Sequence, residues 1–509
     1  MEYGDTLSIE QPAAPHAAAS RISRLVSWLD EASDRLSPIV VKEVRQIVRG
    51  REFNYSFMIS LVVGLLVSFF GAANAATGNG TTGQSVFVAL TACLALLGIG
   101  IVPFGASSAL RNERLEQTMD LISVTSLSAR KVIVGKLLAQ AVKLATLFAG
   151  MAPFVATSFL LGGIDFVTIV LTLAIVFFVS LWACAVALLL SSIAKTRGMS
   201  GVLLAGGAVV LLLFFGGFTI LNRILFGFAR TGGIGFGAPS GRDAWLALAM
   251  FVTFGLASLV NLVLLAENRL SSPVENKSTA LRIGFFVQFL VIVGGFTAVS
   301  HFATVRGTPG GAVMPLAVFG LAHLAIVAAF TVTEDFAVSR RVFRRIQAPS
   351  RFSLLLSILW PGGGRGAAYV LLQMGLLILA VRYLSYREVG WVVAACGYIC
   401  FFTGVAAVLL RVLRPRIHAF YLRIAILVLL SASMVLPDVF YYIVASTDDF
   451  NLFYSSRHLV NPLRTIANWR LVEMRGAYAM PVIIGAIGVL TYARLMMMNR
   501  RTSRTDPIS

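Results

Sequence analysis

The chain has 509 residues, of which 58% are hydrophobic and only 13% charged. Ordinary soluble domains carry about 25% charged residues, so this composition excludes a soluble globular protein. The formal net charge of +19 would suggest a nucleic-acid partner only if the basic residues formed one soluble patch. They are instead scattered over short loops, where they set membrane topology, so we expect no nucleic-acid binding.

The N-terminal segment before the first span divides into a tail and two amphipathic helices. Residues 1–20 are expected to form a disordered tail, with no cleavable signal peptide. The helices lie within residues 21–55. In the second helix, Lys42, Arg45 and Arg49 lie opposite an aliphatic stripe. Such a helix should lie flat in the inner headgroup layer, which makes membrane lipid a predicted partner. The stripe consists of Val40, Val41, Val44, Ile47 and Val48.

Runs of about 20 apolar residues then recur along the chain, as in an all-α polytopic membrane protein with about 12 transmembrane helices. A transmembrane β-barrel is excluded because these segments do not alternate in polarity. Lys143, about two turns into the third span, is expected to snorkel to the inner surface. The predicted spans cover residues 56–76, 86–110, 137–161, 166–192, 200–222, 244–266, 283–303, 313–333, 367–384, 390–411, 419–446 and 479–497.

The polar stretch at residues 111–136, between the second and third spans, is longer than a plain topological loop requires. Leu115, Met119 and Ile122 stand at i, i+4 and i+7, which predicts a short amphipathic helix. A turn follows, and Ser128 can cap the next helix, which runs into the third span. We therefore expect a cytoplasmic helix-turn-helix finger, rigidly joined to both spans. Its exposed acidic residues are Glu113, Glu116 and Asp120.

Two motifs occur in the order and topology of a known family. SPIVVKEVRQIVRGREF precedes the first span, and ERLEQTMDLISVTSLSARKVIVGK follows the second. Over about residues 38–270 the chain resembles the permease subunit of a type-2 ABC transporter. Gln117 stands where that family usually has glycine, and Ser126 where it usually has proline. The matching residues are Glu113, Arg114, Thr118, Asp120, Leu121, Leu127, Ser128, Gly135 and Lys136.

The resemblance implies a division of labour between two chains. In that family an interfacial elbow helix precedes the first span, and the finger docks in a cleft of a separate ATPase subunit. Consistent with this, the sequence has no GxxxxGK[ST] phosphate loop, and the glycine cluster at 361–366 lacks the required lysine and hydroxyl. A homodimer or a heterodimer with another permease chain fits the same interpretation. The implied coupling residues are Glu113, Arg114, Leu115, Glu116, Thr118, Met119, Asp120, Leu127 and Ser128.

A polar join at residues 267–282 divides the spans six and six. We expect a six-helix type-2 ABC permease domain over 56–266 and a second six-helix half over 283–497. The terminal residues 498–509 form a tail. The bias of Lys and Arg between alternate loops places both termini in the cytoplasm and the protein in the cell (inner) membrane.

A few polar and sulfur-containing side chains lie inside predicted spans. His323 and Asp438 are candidates for an intramembrane polar site, because charge at the bilayer centre costs about 2.5–3.5 kcal/mol. A bond to a neighbouring helix also explains His323, and a position near the external surface also explains Asp438. Cys396 and Cys400, with the methionines at 496–498, could pass Cu(I), but apolar packing explains them equally well. We therefore assign no metal, cofactor or catalytic residue.

The leading interpretation is the permease subunit of an ATP-driven exporter, not itself an enzyme because ATP is hydrolysed on a separate chain. The alternative is a secondary transporter of the twelve-span class. That class should carry several coupling carboxylates at the membrane midplane, and Asp438 alone is a poor supply. A membrane-embedded enzyme is a third interpretation, and no clustered His, Asp and Glu residues in the sequence favour it.

Overall fold

The computed structural model describes residues 38–75, 82–115, 129–162, 164–193, 242–271, 275–302, 313–334, 357–413 and 479–502, together with residues 465, 469 and 472. Every regular element in these ranges is helical. Nine helices of the described ranges are long and apolar enough to cross a membrane, which fits a multi-pass membrane protein. The α-helices are α1 (Pro38–Arg49), α2 (Arg51–Ala75), α3 (Thr82–Ala95), α4 (Val102–Leu115), α5 (Ala129–Leu160), α6 (Phe166–Ile193), α7 (Arg242–Leu270), α8 (Thr279–Phe302), α9 (Val313–Thr331), α10 (Gly363–Leu384), α11 (Val389–Leu413) and α12 (Ala479–Thr502).

Nine of the predicted spans coincide with these long apolar helices. The spans predicted at 200–222 and 419–446 lie outside the described residues, as do the tail at 1–20 and the first amphipathic helix. The last predicted span falls in α12, whose apolar part, Pro481–Met497, is shorter than the other nine. A count of 12 spans therefore stays a prediction.

Packing divides the chain into two units. The first comprises the described residues up to Phe166 together with Leu173–Ala187, and the second comprises Val167–Thr172 and the described residues from Leu188 onward. The predicted join at 267–282 lies inside the second unit, where α7 and α8 pack against each other. Its role as a boundary between functional domains stays a prediction.

Helix α5 is the centre of the first unit, because α1, α2, α3 and α4 all pack against it. Its inward face carries Ile133, Leu144, Leu147 and Met151, each at most 1% exposed. These side chains recur at helical spacing, so one stripe of α5 contributes apolar contacts to several neighbours. The 32 residues of α5 would measure about 48 Å, whereas the hydrocarbon core of a bilayer is about 30 Å thick.

The second predicted span bends locally between α3 and α4. There Leu96–Ile101 form one turn of π-helix, in which the Val102 N–H donates to the Leu97 carbonyl. A side chain at Gly98 would place its Cβ 2.3 Å from the Ser180 Oγ, so only glycine allows α6 to approach here. Such single π-turns insert one residue into a helix without breaking it.

The second unit is built around one apolar core shared by α8, α9, α10, α11 and α12. Small residues allow its closest helix contacts. A Cβ at Gly397 would lie 2.9 Å from the Gly485 Cα, and a Cβ at Gly404 would lie 2.1 Å from the Thr491 Oγ1. Helices α11 and α12 therefore approach nearly backbone to backbone, a mode of packing common between membrane helices.

Candidate functional site

The predicted finger is described only along its two arms. Residues 111–115 continue α4 without a break, and residues 129–136 form the first turns of α5. The second arm is one α-helix with the third span, whereas the second span contains the π-turn at Leu96–Ile101 before it reaches the first arm. A rigid finger stays a prediction. Among the predicted coupling residues, Glu113, Arg114 and Leu115 lie at the end of α4. The others lie outside the described residues: Glu116, Thr118, Met119, Asp120, Leu127 and Ser128.

Helix α1 occupies the position of the predicted elbow helix, and its three cations Lys42, Arg45 and Arg49 are exposed as expected. The stripe predicted to be apolar differs in two places. Val48 is 48% exposed, and Glu43 is only 5% exposed. The buried face of α1 therefore includes the Glu43 carboxylate, because α1 packs against α5 at a position where α5 carries a cation.

That cation is Lys136, the last residue of the second family-like motif. Its Nζ lies 2.8 Å from Glu43 Oε1, and the side chains of Lys136 and Glu43 are 3% and 7% exposed. A lysine and a glutamate are rarely buried to this extent unless they are paired. The ion pair therefore fixes the elbow helix to the base of the finger's second arm.

A second lysine lies two turns further along the same face of α5. Lys143 is 5% exposed, and whether its ammonium reaches the inner membrane surface stays a prediction. It interacts electrostatically with Glu52, in the first turn of α2. Both head groups approach Gly105 of α4, where an added Cβ would lie 3.5 Å from Lys143 Nζ and 3.4 Å from Glu52 Oε2.

Gln140 lies between the two lysines on this face and is 4% exposed. Its Oε1 atom has no hydrogen-bond partner within the described part of the chain. The inner face of α5 thus carries three polar side chains in succession, with carboxylates from both sides of the α1–α2 junction placed against its lysines. We call Glu43, Glu52, Lys136 and Lys143 the elbow clamp. The Glu43–Lys136 pair is buried on both sides, whereas Glu52 is exposed.

The second unit has its own buried ion pair, which we call the arginine knot. Arg282 is fully buried, and its Nη2 lies 2.5 Å from Glu334 Oε2. Its guanidinium also donates to the carbonyls of Ile358 (2.6 Å), Trp360 (2.8 Å) and Gly362 (3.2 Å). The carbonyls of Ile358 and Trp360 precede the glycine cluster at 361–366, and within that cluster the Gly362 carbonyl accepts from this arginine.

Further hydrogen bonds complete the arginine knot. The Gly362 N–H donates to Glu334 Oε2 at 3.2 Å, and the Ser278 hydroxyl donates to Glu334 Oε1 at 2.6 Å. The Tyr369 hydroxyl donates to the Arg282 carbonyl at 2.6 Å. The knot therefore joins the start of α8, Glu334 three residues beyond the end of α9, and the start of α10. It brings together the chain positions on either side of residues 335–356.

His323, one of the two predicted intramembrane polar residues, lies inside the second unit and is 7% exposed. Its ring packs between Phe285 and Phe289 of α8, at 6.0 Å from each ring centroid, and it hydrogen-bonds the backbone of Phe285. Within the described residues its Nε2 has no hydrogen-bond partner. The histidine is thus bonded to a neighbouring helix, and a functional role for it stays a prediction. Asp438 lies outside the described residues.

Comparison with known proteins gives no relative for this chain. No family model, no curated protein and no solved structure matches it. The type-2 ABC permease family therefore stays a prediction that depends on the two sequence motifs.

Proposed function

We propose that this chain is the membrane-spanning permease subunit of an ATP-driven ABC transporter, acting as an exporter with a separate ATPase subunit. The observation that carries the proposal is the continuity of the finger's arms with α4 and α5, combined with the buried Lys136–Glu43 pair at the base of the second arm. A loop that only set topology would need neither feature.

The elbow clamp suggests how motion of a docked ATPase would reach the spans. A displacement of the finger moves α4 and α5 as rigid levers, because helices bend far less readily than loops. Helix α1 follows through Glu43 and Lys136, and α2 follows through the interaction of Glu52 with Lys143. Three spans and the elbow would then shift together when the ATPase changes conformation.

In this proposal ATP binds to the partner chain. The purified chain alone is expected to show no ATP hydrolysis, because its sequence lacks a phosphate loop. Steady turnover by protein freed of co-purifying ATPases would contradict the assignment. Transport that followed an ion gradient and needed no ATP would favour the twelve-span secondary transporter instead.

The decisive experiment is co-purification with the ATPase subunit after changes in the finger. Leu115→Asp with Met119→Asp places two carboxylates on the finger's apolar face. An unpaired charge buried in an interface costs about 3–5 kcal/mol. We expect loss of the ATPase from the complex with normal expression of the permease. Glu116→Lys with Asp120→Lys should weaken the complex less, since rim charges contribute little.

The matched control is Glu275→Lys, which reverses an exposed acidic residue outside the finger and should leave the complex intact. If the Leu115 and Met119 double variant expresses normally and still binds ATPase at wild-type stoichiometry, the finger is not the docking site. If it fails to insert in the membrane, the finger's apolar face packs within the permease itself, and the docking role is also contradicted.

A further inference from the structure

A sulfur-rich contact lies inside the second unit, between α10 and α11. The Cys400 thiol of α11 donates to the Met374 sulfur of α10, with 3.5 Å between Sγ and Sδ. Cys396 precedes Cys400 by one helical turn, so the two cysteines share a face of α11. Cys396, Cys400 and Met374 are each at most 5% exposed.

Helix α12 packs on a third side of this contact, close to the backbone of α11. A Cβ at Gly488 would lie 2.9 Å from the Cβ of Cys400, so the backbone of α12 lies close to the backbone and Cβ of this cysteine. The Tyr492 hydroxyl, one turn further along α12, interacts with Cys400 and pairs with the Thr403 hydroxyl at 2.7 Å. The thiol thus lies beside a hydroxyl that can orient it.

We propose that Cys400 and Met374, with Cys396 as a third sulfur ligand, form a binding site for Cu(I). Thiolate and thioether ligands select Cu(I) over the harder divalent ions. Two sulfur atoms 3.5 Å apart can both reach one ion at about 2.3 Å, with a sulfur–metal–sulfur angle of roughly 100°. The site does not depend on the transporter assignment.

Charge balance favours a monovalent ion at this depth. Cu(I) exchanges for the thiol proton of Cys400, which passes to the aqueous buffer, and the copper stays Cu(I) throughout. The site is neutral before and after the exchange, so no net charge enters the apolar core. A divalent ion on one thiolate would leave a buried positive charge. The described residues also contain no group of three His, Cys, Asp or Glu side chains that could hold such an ion.

From the sequence, the methionines at 496–498 were the candidate companions of the two cysteines. Met496 of the triplet at 496–498 is only partly buried against the core, and Met497 is 63% exposed. Met374 lies 26 residues before Cys400 in the sequence and becomes its neighbour only when α10 packs against α11.

The test measures copper retained by the full-length chain. Cells expressing it are grown with added copper, so that the ion can enter as the chain folds. The protein is purified in the presence of a Cu(I) chelator, and copper per chain is measured by mass spectrometry. We expect one copper per wild-type chain, none in Cys400→Ser, and an affinity about 10- to 100-fold lower in Tyr492→Phe, which removes an outer partner.

Matched variants make the outcome decisive. Cys184→Ser removes a buried cysteine of the first unit and should retain copper, as should Cys93→Ser. Met374→Leu conserves volume, so it should fold and yet lose copper even if Cys400→Ser does not fold. A copper-free wild-type protein overturns the proposal. Equal copper in wild type, Cys400→Ser and Met374→Leu also overturns it, because the metal is then adventitious.

Discussion

Glu43 and Lys136 are separated by 93 residues in the sequence, yet their head groups are 2.8 Å apart in a buried ion pair. The pair joins the elbow helix to α5 at the base of the predicted finger. Loss of either partner leaves the other charge buried and unpaired, which typically costs about 3–5 kcal/mol.

We therefore expect Glu43→Leu or Lys136→Met to lower the free energy of unfolding by about that amount. The double variant Glu43→Leu with Lys136→Met should recover most of the loss, since an apolar pair of similar volume often replaces a buried ion pair without cost. The measurement is a double-mutant cycle of denaturation in detergent. Lys42→Gln is the control, and it should cost less than about 1 kcal/mol because Lys42 is an exposed residue of α1 outside the elbow clamp.

The elbow clamp also makes a functional prediction that stability alone does not. If the pair transmits motion, the stable double variant should still bind the ATPase but show a lower ratio of transport to ATP hydrolysis. An unchanged ratio in a complex of normal composition would mean that the pair only stabilises the fold.

The arginine knot predicts that lysine cannot replace Arg282. The guanidinium donates hydrogen bonds to Glu334 and to three backbone carbonyls. A lysine ammonium has three N–H donors on a single nitrogen, so it cannot reach all four acceptors. Each buried acceptor left unsatisfied costs about 1–3 kcal/mol. Arg282→Lys should therefore destabilise the protein strongly in thermal unfolding. Arg365→Lys is the matched control, because Arg365 makes only a long 3.4 Å bond to the Pro361 carbonyl. Equal losses in the two variants would contradict the assigned role of the knot.

Two glycines of α10 should respond in opposite directions to alanine. A Cβ at Gly366 would lie 2.1 Å from the Thr331 carbonyl oxygen, so α9 and α10 would have to separate. Overpacking of this kind typically costs about 1–3 kcal/mol. Gly375 has open space around it, so alanine there should stabilise the helix by up to about 1 kcal/mol. Thermal unfolding of the two variants checks both signs, and a stabilised Gly366→Ala protein would show that the close approach is not rigid.

Hydropathy predicted most long helices of this chain because membrane spans have a local signature of length and composition. Caps and helical periodicity are also local, and they predict the finger, of which residues 116–128 lie outside the described residues. The elbow clamp was not, because nothing near Glu43 indicates that Lys136 will lie against it. The one available signal that Glu43 is buried was its position beside the apolar stripe of its helix. Pairing of distant residues depends on packing, which single-sequence patterns do not encode.

The arginine knot of the second unit was also not predictable from the sequence. The glycine cluster at 361–366 was compared with a phosphate loop, whereas its Gly362 carbonyl and the Trp360 carbonyl just before it accept hydrogen bonds from Arg282. Hydrogen bonds to backbone carbonyls cannot be recognised from the side-chain types in a sequence. Met374 was overlooked because methionine is common in apolar helices. Its sulfur becomes a candidate ligand only because the fold places it beside Cys400.

The last prediction concerns the orientation of the chain in the membrane. Because Lys and Arg are concentrated in alternate loops, the finger and both termini should face the cytoplasm. Asn112→Cys and Ser503→Cys should resist an impermeant thiol reagent in intact cells, whereas Asn451→Cys should react. The wild-type chain is the blank, since three of its cysteines are buried and Cys93 is half-buried. Permeabilised cells provide the positive control, in which all three introduced cysteines should react. Labelling of Asn112→Cys from outside would place the finger on the wrong side for an intracellular ATPase, and the proposed coupling would fail with it.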